Sequence, residues 1–231
     1  MRAVPLPPDD APAPDDHGRT PNQPAVDDPG EPAGAGERRG TAAPAEPTGV
    51  LDRFEPIRQF DVAVDRAFDR VRGNPTADRA FYALSELGDF GLIWMLIGAV
   101  RGLRGDDEAE EFLRLAVTMA AESAIVNGGI KTLFRRERPV VEGERPHRLR
   151  IPVTSSFPSG HASSAMTAAV LLGQGRRTAP LYFGLGLAVA ASRVYVRIHH
   201  ASDVAAGLGV GLALGRVATR LWPGPRGRAR R

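Results

Sequence analysis

A chain of 231 residues with five histidines, no cysteine and a net charge of +3 has room for one good-sized domain. The absence of Cys excludes disulfide frameworks, cysteine-held metals and thiol nucleophiles together, without fixing a compartment. The mean hydropathy is that of a soluble protein, but the average conceals two unlike parts.

Residues 1–50 hold 11 of the 20 prolines and nine acidic against four basic residues, for a net −5. With almost no aromatic or β-branched residue to build a core, this stretch reads as a disordered, acidic, Pro/Ala-rich tail. It lacks the basic start and continuous apolar run of a signal peptide. The remainder carries +8. Membrane flanks and an anionic substrate account for that balance better than nucleic acid, which is not expected as a partner.

Residues 54–72 alternate apolar side chains with Asp and Arg at helical spacing, predicting an amphipathic helix that is too charged to span a bilayer. Gly73-Asn74-Pro75 breaks it, and a second helix is expected from Thr76 as N-cap. Five apolar segments follow, at roughly 81–103, 112–130, 161–172, 181–196 and 201–221. Several are at or below the ~20 residues a span needs. Singly, each fits a buried helix of a soluble bundle; together, with short connections, they read as an all-α, polytopic transmembrane bundle of about five spans plus the N-terminal amphipathic helix. The domain division is then a 1–50 tail, a 51–80 interfacial helix and linker, an 81–222 membrane-embedded domain and a 223–231 basic tail.

Gly207, Gly211 and Gly215 in the last segment, and Gly184, Ala188 and Ser192 in the one before, recur every four residues. Such stripes of small residues let helix backbones approach closely. Glu122 and Asn127 lie inside the second segment and are expected to face the bundle interior.

Counted as alternating spans, the segments bring their polar ends to one side. Lys131 is followed seven residues later by Arg138-Pro139, where the proline is expected to end any helix and pin the guanidinium. Arg offers a planar fork and Lys a point charge to phosphate oxygens, although such a pair at a membrane edge also serves as a headgroup anchor. Pro158-Ser159-Gly160-His161 puts a capping Ser and a small Gly at the start of a segment, where exposed N–H groups can hold a phosphate or simply form a capped turn. Ser192-Arg193 precedes His199 and Asp203, which on a helix share one face, so the carboxylate can fix the imidazole tautomer. An interfacial role explains that stretch equally well on its own.

Taken together, Lys131 with Arg138-Pro139, Pro158 to His161, and Ser192-Arg193 with His199 and Asp203 resemble the three-part signature of the type 2 phosphatidic acid phosphatase and vanadium haloperoxidase superfamily. Eleven specified residues match, each expected at on the order of one in twenty by ordinary usage. The resemblance covers roughly residues 81–222. It implies a helical bundle that hydrolyses a membrane lipid phosphate or diphosphate, of polyprenyl or phosphatidyl type, without metal or cofactor and through a phosphohistidine. By the same resemblance His199 is the nucleophile, Asp203 orients it, and His161 is the general acid. Lys131, Arg138, Arg193, Ser159 and the Gly160 backbone form the phosphate cradle. Phosphoryl transfer asks mainly for position and positive charge, which this set supplies.

His200, turned about 100° from its neighbour on a helix, is not expected to replace it, and His147 is expected to be solvated. Arg135, Arg136, Arg145, Arg148 and Arg150 read as a solvated basic loop, with attraction to anionic lipid as the alternative. The alternative activities are a vanadate-dependent haloperoxidase and a non-catalytic membrane scaffold; the filled motif positions disfavour the scaffold. Six arginines and no acids between Arg216 and Arg231 put the C-terminus in the cytoplasm by the positive-inside rule and favour an extracytoplasmic site. The basic loop at 135–150 argues the opposite way, so sidedness stays open. The partners expected are the bilayer and its lipid substrate.

Overall fold

The computed structural model describes residues 51–141 and 143–225. The expected 1–50 tail and the last six residues of the basic C-terminus lie outside the described residues.

All regular structure among the described residues is helical. Helix α1 (Glu55–Asp69) opens with Pro56 in its first turn and an acidic residue at its positive end. Arg58 and Gln59 both donate to the Glu55 carboxylate one turn back, Gln59 at 2.9 Å. Helix α2 (Pro75–Leu87) is capped by Asn74, whose Oδ1 accepts from the N–H groups of Thr76 and Ala77 at 3.0 and 3.1 Å. The cap is therefore two residues earlier than Thr76, because Pro75 costs nothing at the first helical position, where an N–H would have no partner.

The apolar run over 81–103 does not form one helix. It breaks at Gly88–Gly91 and bends by 62° into α3 (Leu92–Gly102). Phe90 and Gly91 take left-handed φ values of 54° and 68°; the glycine does so at no steric cost, and the turn lifts Asp89 out of the helical ladder. Helix α4 (Asp106–Ser123) begins with three acids, Asp106, Asp107 and Glu108, and runs on through a π-helical stretch (Ala124–Ile130) to a last turn at Lys131–Leu133. Then come α5 (Gly160–Gly173), α6 (Ala179–Tyr195) and α7 (Ala201–Leu221). Of these helices only α7 is by itself long and apolar enough to cross a membrane, and α2 with α3 pass as a bent pair.

Helix α5 is the axis of the bundle. Eleven of its residues are buried, and its sequence, His-Ala-Ser-Ser-Ala-Met-Thr-Ala-Ala, is small enough to be surrounded. The α7 stripe of small residues packs here: a Cβ on Gly207 or Gly211 would strike the carbonyl oxygens of Ser159 and Ser163, and one on Gly215 would lie 2.8 Å from Val170 Cβ. Thr167 Oγ1 donates to the Gly211 carbonyl at 3.1 Å across the same contact. The stripe expected on α6 does not behave alike. Gly184 has nothing within 4 Å, and it is Gly186, a buried position, that lies against Ala165.

The end of the bundle remote from the motifs is stapled by charge. Glu111 accepts from both Arg101 and Arg176 at 2.6 Å, while Arg114 reaches Gln174 at 2.7 Å and the Trp222 carbonyl at 3.0 Å. Glu122 is buried as expected; Asn127 is exposed, donating to Ser123 Oγ at 3.1 Å. Five residues apart, the two stand about 140° around an ideal helix axis, so they do not share a face.

Candidate active site

The antiparallel run of α4 to α7 brings the C-terminal ends of α4 and α6 beside the N-terminal ends of α5 and α7. His199 stands in the loop between α6 and α7 rather than on a helix. The chain turns at Arg197, with φ of 51°, so that the N–H groups of Ile198 and His199 both donate to the Arg193 carbonyl, at 3.1 and 3.2 Å. His200 becomes the N-cap residue of α7, and Asp203 sits in its first turn with Oδ2 accepting from the His200 N–H at 2.9 Å. His199 and Asp203 thus meet across a helix start.

His199 is 2% exposed and Asp203 fully buried. Arg138 Nη1 lies 3.3 Å from His199 Nε2. A guanidinium can only donate, so Nε2 carries the lone pair and the ring proton belongs on Nδ1. Nδ1 faces Asp203 Oδ2 at 3.7 Å, beyond hydrogen-bond distance and still within electrostatic reach. Burial, helped by the charges of Arg193 and Arg138 and opposed by Asp203, drives the His199 pKa down to about 3, so the ring is neutral near pH 7.

Arg138 is held by carbonyls, not by the adjacent proline: it donates to Pro152 O (3.1 Å), Ile198 O (2.9 Å) and Thr154 O (3.0 Å). The helix expected to end at Pro139 stops at Leu133.

His161, in the first turn of α5, presents Nε2 to Asp89 Oδ1 at 2.7 Å. Arg193 is fully buried. Its Nη1 donates to Ser85 Oγ and lies 3.9 Å from Asp89 Oδ1, while Nε and Nη2 have no hydrogen-bond partner. Ser85 and Asp89, one turn apart at the α2–α3 break, escaped the sequence reading. The available signal was an acid flanked by glycines inside an apolar run.

Ser159 caps α5, accepting from the Ala162 N–H at 3.5 Å, and its own N–H donates to the Asp203 carbonyl at 3.0 Å. A Cβ at Gly160 would lie 3.3 Å from Asn127 Oδ1 and 3.6 Å from Lys131 Nζ, so the Asn127 amide and the buried ammonium both approach the start of α5. Lys131 lies within electrostatic reach of Arg138, Arg193, Glu122 and Asp203.

Arg136, expected in a solvated loop, is 6% exposed. It donates to Asp203 Oδ1 at 2.6 Å and, through Nη2, to Asp61 Oδ2 at 2.8 Å. Arg145 turns inward onto the carbonyls of Val196 and Arg197. Arg135, Arg148 and Arg150 are exposed, the last over the Phe90 ring at 4.6 Å, and exposed His147 rests its edge on Tyr82. Among the described residues no cluster of three or more His, Cys, Asp or Glu is placed to hold a metal ion.

The charged signature residues thus lie within electrostatic reach of one another, Lys131 of Arg138, Arg193, His161 and Asp203, and Arg193 of both histidines, with Asp89 added on His161. Residues 111–226 match the family model of the PAP2 superfamily. The decaprenylphosphoryl-5-phosphoribose phosphatase of Mycobacterium tuberculosis is 31% identical over 153 residues, 64% of this chain and 81% of that protein. The protein of the same name from Mycolicibacterium smegmatis is 33% identical over 153 residues, 63% and 78% of the two chains. Two solved structures share the fold. The transmembrane PAP2 type phosphatidylglycerolphosphate phosphatase from Bacillus subtilis superposes with a TM-score of 0.58 at 20% identity, covering 73% of this chain and 87% of its own. Aquifex aeolicus LpxE gives 0.57 at 24% identity, with 69% and 94% covered. The chain belongs to the PAP2 superfamily and is an enzyme of that superfamily's phosphatase kind.

Proposed function

We propose that the protein hydrolyses the phosphate ester of a membrane lipid, most closely a polyprenyl-linked phosphate, through a phosphohistidine at His199 and without a metal ion. One observation carries the reading. A fully buried Arg193 leaves Nε and Nη2 without a protein acceptor, an arrangement that is costly unless an anion takes those donors. The relatives named for decaprenylphosphoryl-5-phosphoribose point to the polyprenyl class.

In this mechanism Arg193, Arg138, Lys131 and the N–H groups at the start of α5 hold the phosphoryl oxygens. The lone pair on His199 Nε2 attacks phosphorus, the P–O bond to the lipid breaks, and the leaving oxygen takes a proton from His161, which Asp89 aims. Asp203 stabilises the positive charge that develops on the His199 ring. Water then attacks phosphorus and passes a proton to His161 as the new P–O bond forms and the P–N bond to His199 breaks, releasing inorganic phosphate and restoring both imidazoles. Charge stabilisation by fixed cations takes the place of a metal.

In the same reading α2 with α3, α4, α5, α6 and α7 make up five membrane elements, and α1 lies at the interface. Exposed apolar side chains such as Leu96 and Val100 on α3, Leu181 and Leu187 on α6, and Val217 on α7 support lipid contact. Helix α5, 14 residues long or about 21 Å, is too short to span alone and is sheltered by its neighbours. The C-terminal arginines favour an extracytoplasmic site.

The test uses purified protein in detergent, farnesyl phosphate and EDTA. Phosphate release should persist, vanadate should inhibit it, and His199→Ala should abolish it. A strict Mg²⁺ requirement, or an active His199→Ala protein, would sink the mechanism.

A further inference from the structure

Resting on that reading, we infer that Asp61 and Arg136 are positioning residues for the nucleophile, so that helix α1 belongs to the catalytic machinery although it lies outside the 111–226 family match. Asp61 and Arg136 are 7% and 6% exposed, and they connect through Asp203 to His199. Arg136 bridges two carboxylates, Asp61 Oδ2 at 2.8 Å and Asp203 Oδ1 at 2.6 Å. The first bond moderates the second. With Asp61 present the guanidinium is shared, and Asp203 keeps enough negative charge to stabilise the His199 ring. Asp61 also fixes the start of α7, its Oδ1 accepting from the Ser202 N–H at 2.7 Å and its Oδ2 from the Ser202 hydroxyl at 2.8 Å.

The rest of α1 braces the same loop. Asp65 and Asp69 bind Arg197 at 3.1 and 2.7 Å. Arg72, just beyond the helix, donates to the Val194 and Tyr195 carbonyls at 2.9 and 2.8 Å while pairing with both aspartates. The left-handed Arg197 that turns His199 into the site is thus clamped by α1 from outside. A cavity of about 400 Å³ between α1 and the loop is shared by Asp61, Asp65, Arg66, Asp69, His199 and His200.

The charged and titratable groups facing His199 are Asp203 and His200 at the start of α7, Arg138 from the loop after α4, Arg193 from α6, and the α1 groups across that cavity. Against this set, removing the Asp61 charge and removing the Arg136 charge act oppositely on the imidazole. In Asp61→Asn the arginine concentrates on Asp203, so the ring holds a proton less well. The acid limb of kcat should move to lower pH, and kcat should fall about tenfold with KM changed less than twofold. In Arg136→Gln the limb should move to higher pH. A merely structural role predicts no opposed shifts, only losses that follow the folded fraction.

The experiment measures kcat and KM for farnesyl phosphate against pH in the parent, Asp61→Asn and Arg136→Gln, with thermal unfolding of each. Opposed displacement of the acid limbs supports the inference. Limbs that stay at the parent position, or that move together, overturn it. Should Asp61→Asn not fold, Asp61→Glu carries the test, because it keeps the charge and must keep the limb; a displaced limb then counts against the inference. The parent and His199→Ala are assayed alongside. An inactive parent or an active His199→Ala protein refutes the proposed reaction itself, an outcome distinct from any result at position 61.

Discussion

The two site histidines are each set against a carboxylate, and the pairs differ in which nitrogen is engaged. His161 gives Nε2 to Asp89 at 2.7 Å. His199 meets Arg138 through Nε2 at 3.3 Å and turns Nδ1 toward Asp203 at 3.7 Å. One ring is a donor held on an acid. The other keeps a lone pair beside a guanidinium that backbone carbonyls hold in place. In the proposed mechanism these neighbours are what divide acid from nucleophile work between two identical side chains.

That contrast can be broken most forcefully at His161. As the proposed leaving-group acid, His161→Ala should lose about 10²–10⁴-fold in the first step on farnesyl phosphate, whose alkoxide must be protonated. On p-nitrophenyl phosphate, whose phenolate departs unaided, the burst of nitrophenolate that reports this step should slow far less, while the later water attack still calls on His161. Equal losses in the first step on the two substrates would remove the distinction. Asp89→Asn should show the same leaving-group dependence at lower amplitude, about tenfold on the lipid substrate, and would place Asp89 elsewhere if KM rose instead.

The smallest effect concerns stability. The folded-state pKa of His199, about 3, lies below the ordinary histidine value of 6.5, so between these pH values the unfolded chain binds more protons. Stability therefore rises with pH across this window and is lost as pH falls through it, by at most ~1.4 kcal/mol per pH unit from this group. Unfolding in detergent between pH 6.5 and 4 should show a shallower slope in His199→Gln than in the parent. An unchanged slope would mean the ring is not held neutral.

How much of this was readable beforehand depends on the distance over which each fact is decided. Helices α5 and α7 follow from local apolar runs and small-residue spacing, which a sequence displays directly. The break at Gly88–Gly91 was hidden because an unbroken apolar run sets burial without setting backbone direction, even with Asp89 and two glycines in view. The neighbourhood of His199 and Asp203 was anticipated from helical spacing, whereas the chain achieves it by a left-handed turn at Arg197 and the first turn of α7. Arg136 looked like one more arginine in a basic loop. Its burial depends on Asp61, 75 residues earlier, and no local pattern encodes such a pairing.

The glycines of α7 have a consequence for catalysis that reaches beyond packing. Because Gly207 and Gly211 bring α7 against the carbonyls of Ser159 and Ser163, the gap between the start of α5, which bears His161, and the start of α7, which bears Asp203, equals the thickness of two bare main chains. No side chain intervenes that could switch rotamer and let that gap breathe. In the proposed mechanism the spacing of acid and nucleophile is therefore gauged by the backbone itself, and a single methyl group at Gly211, two turns from Asp203, would act as a wedge in it.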